Sequence, residues 1–315
     1  MSRFGNNAIP AALILIHAFM LEAHGLEPFR IGFSRSLFTT VNDSDAKASI
    51  KVWAQTVAGE RNIRMDPDAQ LFDETPAMIE AMQQGSVDAM SLTYHEYREL
   101  SRVVETKDLF ITKTSGALQE EYILLVHEAS GLTDLAALQH RELMLHHSAR
   151  TSLALAWLDS LAIRASGGEA SRTYFKRINS IEKISGAVLP VFFQKQDAAV
   201  VAESGFKTMC ELNPQLRRSL KTIAKSPPLI PALMCFRSDY TSPERDRLLS
   251  ALRELHTTTA GEQVLMIFQS EALVPVDQQL VNGTEKFLAE VSQLRSGRGM
   301  TQDGSIADTE DAAHE

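Results

Sequence analysis

The sequence predicts an α/β protein built as two lobes with a ligand cleft between them. Its length of 315 residues suits two domains of ordinary size. Short apolar strands alternate with amphipathic helices, the rhythm of a largely parallel sheet covered by helices. That rhythm breaks at Tyr122, and an apolar strand over 232–236 then returns toward the first lobe. Hydrophobic residues make up 44% and charged residues 23%, a soluble composition with enough apolar mass for real cores.

The chain opens with Arg3, an apolar run over 8–21, and Ala23-His24-Gly25 with small residues two apart. This pattern predicts a secretory signal peptide over 1–25, too short and too interrupted by Pro10 and His17 to span a membrane. A strand at 29–33, a polar loop through Ser44 and a helix over 45–57 follow, then a strand within 63–71. Thr75 is placed as the cap of a helix with Pro76 in its first turn, ended by Gly85. A strand at 87–90 and a helix over 94–102 complete this stretch. Beyond the break come strands at 122–126, 143–145 and 197–201, and helices at 133–138, 152–165, 184–193 and 206–212. After the return strand, helices are predicted over 244–257 and 261–268. The Gly- and acid-rich end, with Asp303, Asp308, Glu310, Asp311 and Glu315, is expected to be disordered. Lobe one is therefore assigned 26–115 plus 232–293, lobe two 116–231, and the acidic tail 294–315.

A formal charge of −9 without any Lys/Arg block excludes a nucleic-acid partner. Cys210 and Cys235 are the only cysteines, too few for a disulfide framework or a cysteine-rich metal module, and read best as two independent buried residues. No nucleophile elbow, Walker loop, zinc helix or dinucleotide fingerprint is present, so no catalytic residue, cofactor or metal is assigned. His146-His147 lacks further ligands at metal spacing.

Ser148-Ala149-Arg150-Thr151-Ser152, between a strand and a helix, carries the anion chemistry. Free N–H groups at a helix N-terminus attract anions, Ser148, Thr151 and Ser152 add hydroxyls, and Arg150 adds a charged, bidentate donor. Arg150 is read as an exposed charge whose removal would cost little stability.

Several segments together resemble one family. Residues 121–138, an apolar strand, a Ser130-Gly131 turn and a short helix, resemble the second-lobe entry of type II binding proteins. Residues 187–201, with Asn213-Pro214 and Ser226-Pro227-Pro228, resemble the phosphonate/phosphate/phosphite-binding branch of ABC transporter receptors, as do 75–91 and 261–268. The likeness covers about residues 29–281. It implies the two-lobed periplasmic-binding-protein type II fold: a periplasmic, monomeric receptor that closes by hinge motion on phosphonate, phosphate or a related oxyanion and delivers it to an ABC importer. A sensor of the same fold docking on a membrane signalling partner, or an enzyme on this scaffold, are the alternatives. Arg150-Thr151-Ser152 falls where the branch has a Ser-Thr-Ser phosphate cradle, with Arg in place of the first Ser. Ser34, Ser36, Leu37 and Phe38 from lobe one are expected to face the cleft, with Tyr94 supplying an aromatic ring and Glu203 and Ser204 following a lobe-two strand. Near Lys183 and Ser185 the branch's His-Glu pair is missing, which argues against an aminoalkylphosphonate ligand.

Overall fold

The computed structural model describes residues 27–38, 43–267, 269–276 and 278–297. The predicted leader, the loop at 39–42, Phe268 and most of the predicted tail lie outside the described residues. The first part of the chain runs β1 (Ile31–Ser34), α1 (Asp43–Arg61), β2 (Gln70–Phe72), α2 (Thr75–Gln83), β3 (Ala89–Thr93), α3 (Tyr94–Glu99) and β4 (Leu109–Lys113). The middle runs β5 (Tyr122–His127), β6 (Glu142–His146), α4 (Ala154–Ser166), α5 (Ser171–Tyr174), β7 (Arg177–Ile181), α6 (Ile184–Phe192), β8 (Ala198–Ala202), α7 (Glu203–Leu212), α8 (Pro214–Ser219) and β9 (Leu220–Lys225). The last part runs β10 (Ala232–Phe236), α9 (Arg245–Arg253), α10 (Thr259–Ile267), β11 (Ala272–Val276) and α11 (Gln278–Ser296). No helix among the described residues is long and apolar enough to cross a membrane.

These strands form two sheets, one ordered β11-β4-β10-β3-β1-β2 and the other β7-β6-β8-β5-β9. Both are mixed, which corrects the expectation of a largely parallel arrangement. β1 pairs in parallel with β2 and β3, and β6 with β7 and β8, the pairing that helical crossovers between strands allow. The returning β10 enters the first sheet from the opposite end, so it is antiparallel to β3 and β4, and β11 is antiparallel to β4. The second sheet gains β5 antiparallel to β8 and β9 in the same way.

Alternation along the strands distributes the core. In β5, Ile123 and Leu125 pack with Val188 and Val201 on one face, while Tyr122, Leu124 and Val126 pack with Trp157 on the other. Both faces are covered, which explains why such strands read as unbroken apolar runs. Two chain segments cross between the sheets, and they touch: Glu120 and Leu229 exchange both backbone hydrogen bonds, at 2.8 and 2.9 Å.

Smaller departures have local causes. Helix α2 starts at Thr75, with Glu74 at the N-cap and no side-chain cap bond, so Thr75 is the first helical residue and not the cap. Gly85 follows the helix end at φ +65°, a conformation that only glycine adopts without strain. The predicted helix at 133–138 shrinks to a single 3-10 turn, Ala136–Leu138. Helix α11 runs to Ser296, past residue 294 where the sequence begins the tail. Cys210 and Cys235 are both free and buried, in different sheets' surroundings.

Candidate functional site

The strand β6 ends at His146, and the chain turns over Ser148–Ser152 before α4 begins. Its hydroxyls serve the turn itself. Thr151 donates to the His146 carbonyl at 2.7 Å and accepts from the Ser148 amide at 2.9 Å, with the Ser148 hydroxyl 3.2 Å away. Ser152 donates to the Pro231 carbonyl, on a crossing segment, at 2.7 Å. Tyr122 is fully buried, which pushes its phenol up, and it donates to the Arg150 carbonyl at 3.2 Å. The turn contains a 3-10 segment, Ala149–Thr151, so α4 starts at Ala154 behind the buried Leu153 and not at Ser152. The Thr151 and Ser152 hydroxyls expected to be free are thus bonded to backbone carbonyls, and the turn presents Ala149 and Arg150 to the cavity. His146 beside it is held below its ordinary pKa, chiefly by burial, with its Nε2 3.1 Å from the Glu182 carbonyl.

Arg150 has protein partners of its own. One Nη2 pairs with the Glu120 carboxylate and lies 3.3 Å from the Ser204 hydroxyl, which itself donates to Glu120 at 2.8 Å. The Glu120 side chain is 8% exposed and that of Arg150 29%. Burial lowers the Arg150 pKa and the nearby Glu271 carboxylate opposes it, so the guanidinium stays charged. Its Nε and Nη1 donors make no hydrogen bond among the described residues.

Beside Arg150 lies a cavity of about 150 Å³ between the first sheet and the turn. Register explains its floor. Phe33 in β1 is opposite Ser91 in β3, Ser91 opposite Met234 in β10, and Met234 opposite Phe110 in β4, so these four side chains form one row on one face. Trp53 from α1, in edge contact with Phe33 at 5.9 Å, and Leu265 from α10 close the sides. The rim holds the partly exposed Leu37 and Thr114 and the exposed Thr112 and Gln269. Lobe two contributes Ala149 and Arg150, and the crossing segment contributes Pro231.

The other residues singled out in the sequence lie elsewhere. Ser34 and Ser36 both donate to Glu96, at 2.6 and 3.0 Å, and Thr93 donates to the same carboxylate through its amide and hydroxyl at 2.8 Å each. Phe38 is buried 6.1 Å from Phe33, in the lobe-one core. Tyr94 is fully buried and donates to the Val281 carbonyl of α11, away from the cavity lining. Ser185 sits in the first turn of α6, outside the lining. Glu203 pairs with Lys207 at 2.8 Å and Lys225 at 3.1 Å, and the Lys207 contact leads in holding its carboxyl below the usual range. Of the residues expected at the cleft, Arg150 and Leu37 line the cavity, with Ser204 reaching it through Arg150. Sequence reasoning missed Glu120, Ser91 and Trp53. Ser91 had a signal, a polar residue in the middle of a mostly apolar strand, and its hydroxyl makes no hydrogen bond among the described residues.

A family model described as "ABC transporter, phosphonate, periplasmic substrate-binding protein" matches residues 37–281. Comparison with curated proteins finds no match. Among solved structures, XAC2383 from Xanthomonas citri bound to ATP superposes with a TM-score of 0.63 at 14% identity, covering 86% of this chain and 99% of that one. A binding-protein component of an ABC phosphonate transporter from Pseudomonas aeruginosa gives 0.59 at 13% identity, covering 86% and 89%. PhnD1 from Prochlorococcus marinus in complex with methylphosphonate gives 0.56 at 11% identity, covering 84% and 98%. At these identities the superpositions carry the two-lobed fold.

Proposed function

The chain belongs to the phosphonate family of ABC-transporter periplasmic substrate-binding proteins, a transport family and not an enzyme family, and we propose that it takes its oxyanion at Arg150. Family members work in the periplasm with ABC permeases, which disfavours the sensor reading. The observation that carries the proposal is the pair of Arg150 donors, Nε and Nη1, without a hydrogen bond among the described residues and beside a cavity whose remaining walls come mostly from the other sheet. A ligand bonded to Arg150 and seated in that cavity touches both lobes at once, and differential contact of this kind favours a closed arrangement. Export through residues 1–25, lobes at 26–115 plus 232–293 and at 116–231, a monomeric state and the absence of a nucleic-acid partner belong to the same proposal.

Titration calorimetry with inorganic phosphate, methylphosphonate, phenylphosphonate and methanesulfonate tests it. At least one should bind, and Arg150→Ala should weaken that binding by on the order of tenfold or more, the worth of a hydrogen bond to a charged group. Because Arg150 compensates a buried carboxylate, the comparison is made in a Glu120→Gln background as well, where the substitution leaves no unpaired charge. Equal affinity with and without Arg150 in both backgrounds would remove it from the site.

A further inference from the structure

Resting on the oxyanion reading above, we infer that the cavity beside Arg150 takes an apolar, benzene-sized group of the ligand, so that the substrate is an organic oxyanion with an aryl or branched alkyl substituent and not a bare inorganic one. Size comes first. A cavity of about 150 Å³ lined by apolar side chains is the volume in which a benzene ring is known to bind. The walls fit that occupant: the large apolar side chains of Phe33, Trp53, Phe110, Met234, Leu265 and Leu273 are all in the lining. Deep among those apolar side chains a phosphate oxygen finds few donors, Ser91 being the one hydroxyl in the row, and would lose most of its water without compensation.

Charge points the same way. Arg150 already faces Glu120, so the pair offers directed donors but little net positive charge. The hydroxyls of Thr151 and Ser152 donate to backbone carbonyls. A bare oxyanion therefore meets one compensated guanidinium, whereas an organic oxyanion adds the burial of its substituent. The head group stays at the Arg150 end, and the substituent points along the row of Phe33, Ser91, Met234 and Phe110.

The test is a calorimetric series on the full chain with inorganic phosphate, methylphosphonate and phenylphosphonate, repeated with Ala232→Leu, which fills the cavity from a partly exposed position on its wall. Phenylphosphonate should bind about tenfold or more tighter than methylphosphonate, as the extra buried apolar area requires. In Ala232→Leu the ratio of those two affinities should fall toward one, with melting confirming that the variant folds. If all three anions bind alike, the apolar inference fails while the oxyanion reading stands. A wild-type preference for phenylphosphonate that survives Ala232→Leu places the ring elsewhere and overturns the inference too. Binding of none of them overturns this inference, and if methanesulfonate fails to bind as well the oxyanion reading falls with it.

Discussion

The carboxylate of Glu120 sits against Arg150 on a segment that crosses between the lobes, so an oxyanion bound as proposed would compete with it for the same guanidinium. Glu120→Gln removes the competing charge but keeps a side-chain oxygen for Ser204. Calorimetry should show oxyanion affinity rising by about tenfold, while urea unfolding of the unliganded protein shows a loss of about 3 kcal/mol, the cost of breaking a buried pair from one side. Unchanged affinity would mean that Glu120 does not compete. The same pair corrects the reading of Arg150 as a dispensable surface charge, because its removal strands a carboxylate that is almost wholly buried. Arg150 was legible in the sequence since a cationic residue in a strand-to-helix turn has few structural explanations. Glu120 was not: a partner 30 residues away in the chain leaves no periodicity to read.

At the scale of elements, the strands read correctly are those covered on both faces, such as β5, β8 and β10, whose apolar runs are continuous. The strands missed are β4, β7, β9 and β11, and the last three lie at sheet edges. Half-covered edges tolerate polar residues, as in Arg177–Ile181, and proline, as Pro275 in β11. The start of α3 at Tyr94 was placed correctly by contrast, and the structure shows Thr93 and Glu96 closing it as a capping box. Glu96 does more than cap. It also accepts from Ser34 and Ser36, which ties the end of β1 to the start of α3 inside lobe one and accounts for two serines that the sequence assigned to the ligand. Glu96→Ala should therefore lower the unfolding free energy by about 2–3 kcal/mol, since the Ser34 and Thr93 donors stay buried without an acceptor. Glu96→Gln, which keeps one oxygen, should cost less in the same urea titration. Equal costs would show that packing and not hydrogen bonding holds this junction.

Across the whole molecule, the two lobes share a core. One apolar cluster takes Met90, Leu92 and Leu233 from the first sheet, Leu124, Val126 and Leu143 from the second, and Trp157 from α4, and α11 completes it with Val281, Phe287, Leu288 and Val291. Polar contacts hold α11 in that bridging place. Thr284 accepts from the Ile230 amide at 2.9 Å on the crossing segment, and Arg295 bonds Asp159 of α4 at 3.1 Å through Nε. A helix anchored at one end to a crossing segment and at the other to lobe two makes separate unfolding of the lobes expensive, since opening either exposes the common cluster. The protein should therefore unfold in one calorimetric transition, with calorimetric and van't Hoff enthalpies equal. Phe287, 7% exposed, is the residue that tests this. Phe287→Ala should cost about 3 kcal/mol through the cavity it leaves and should shift that single transition as a unit. Two resolved transitions, with Phe287→Ala moving only one, would mean that the shared cluster is contact without coupling.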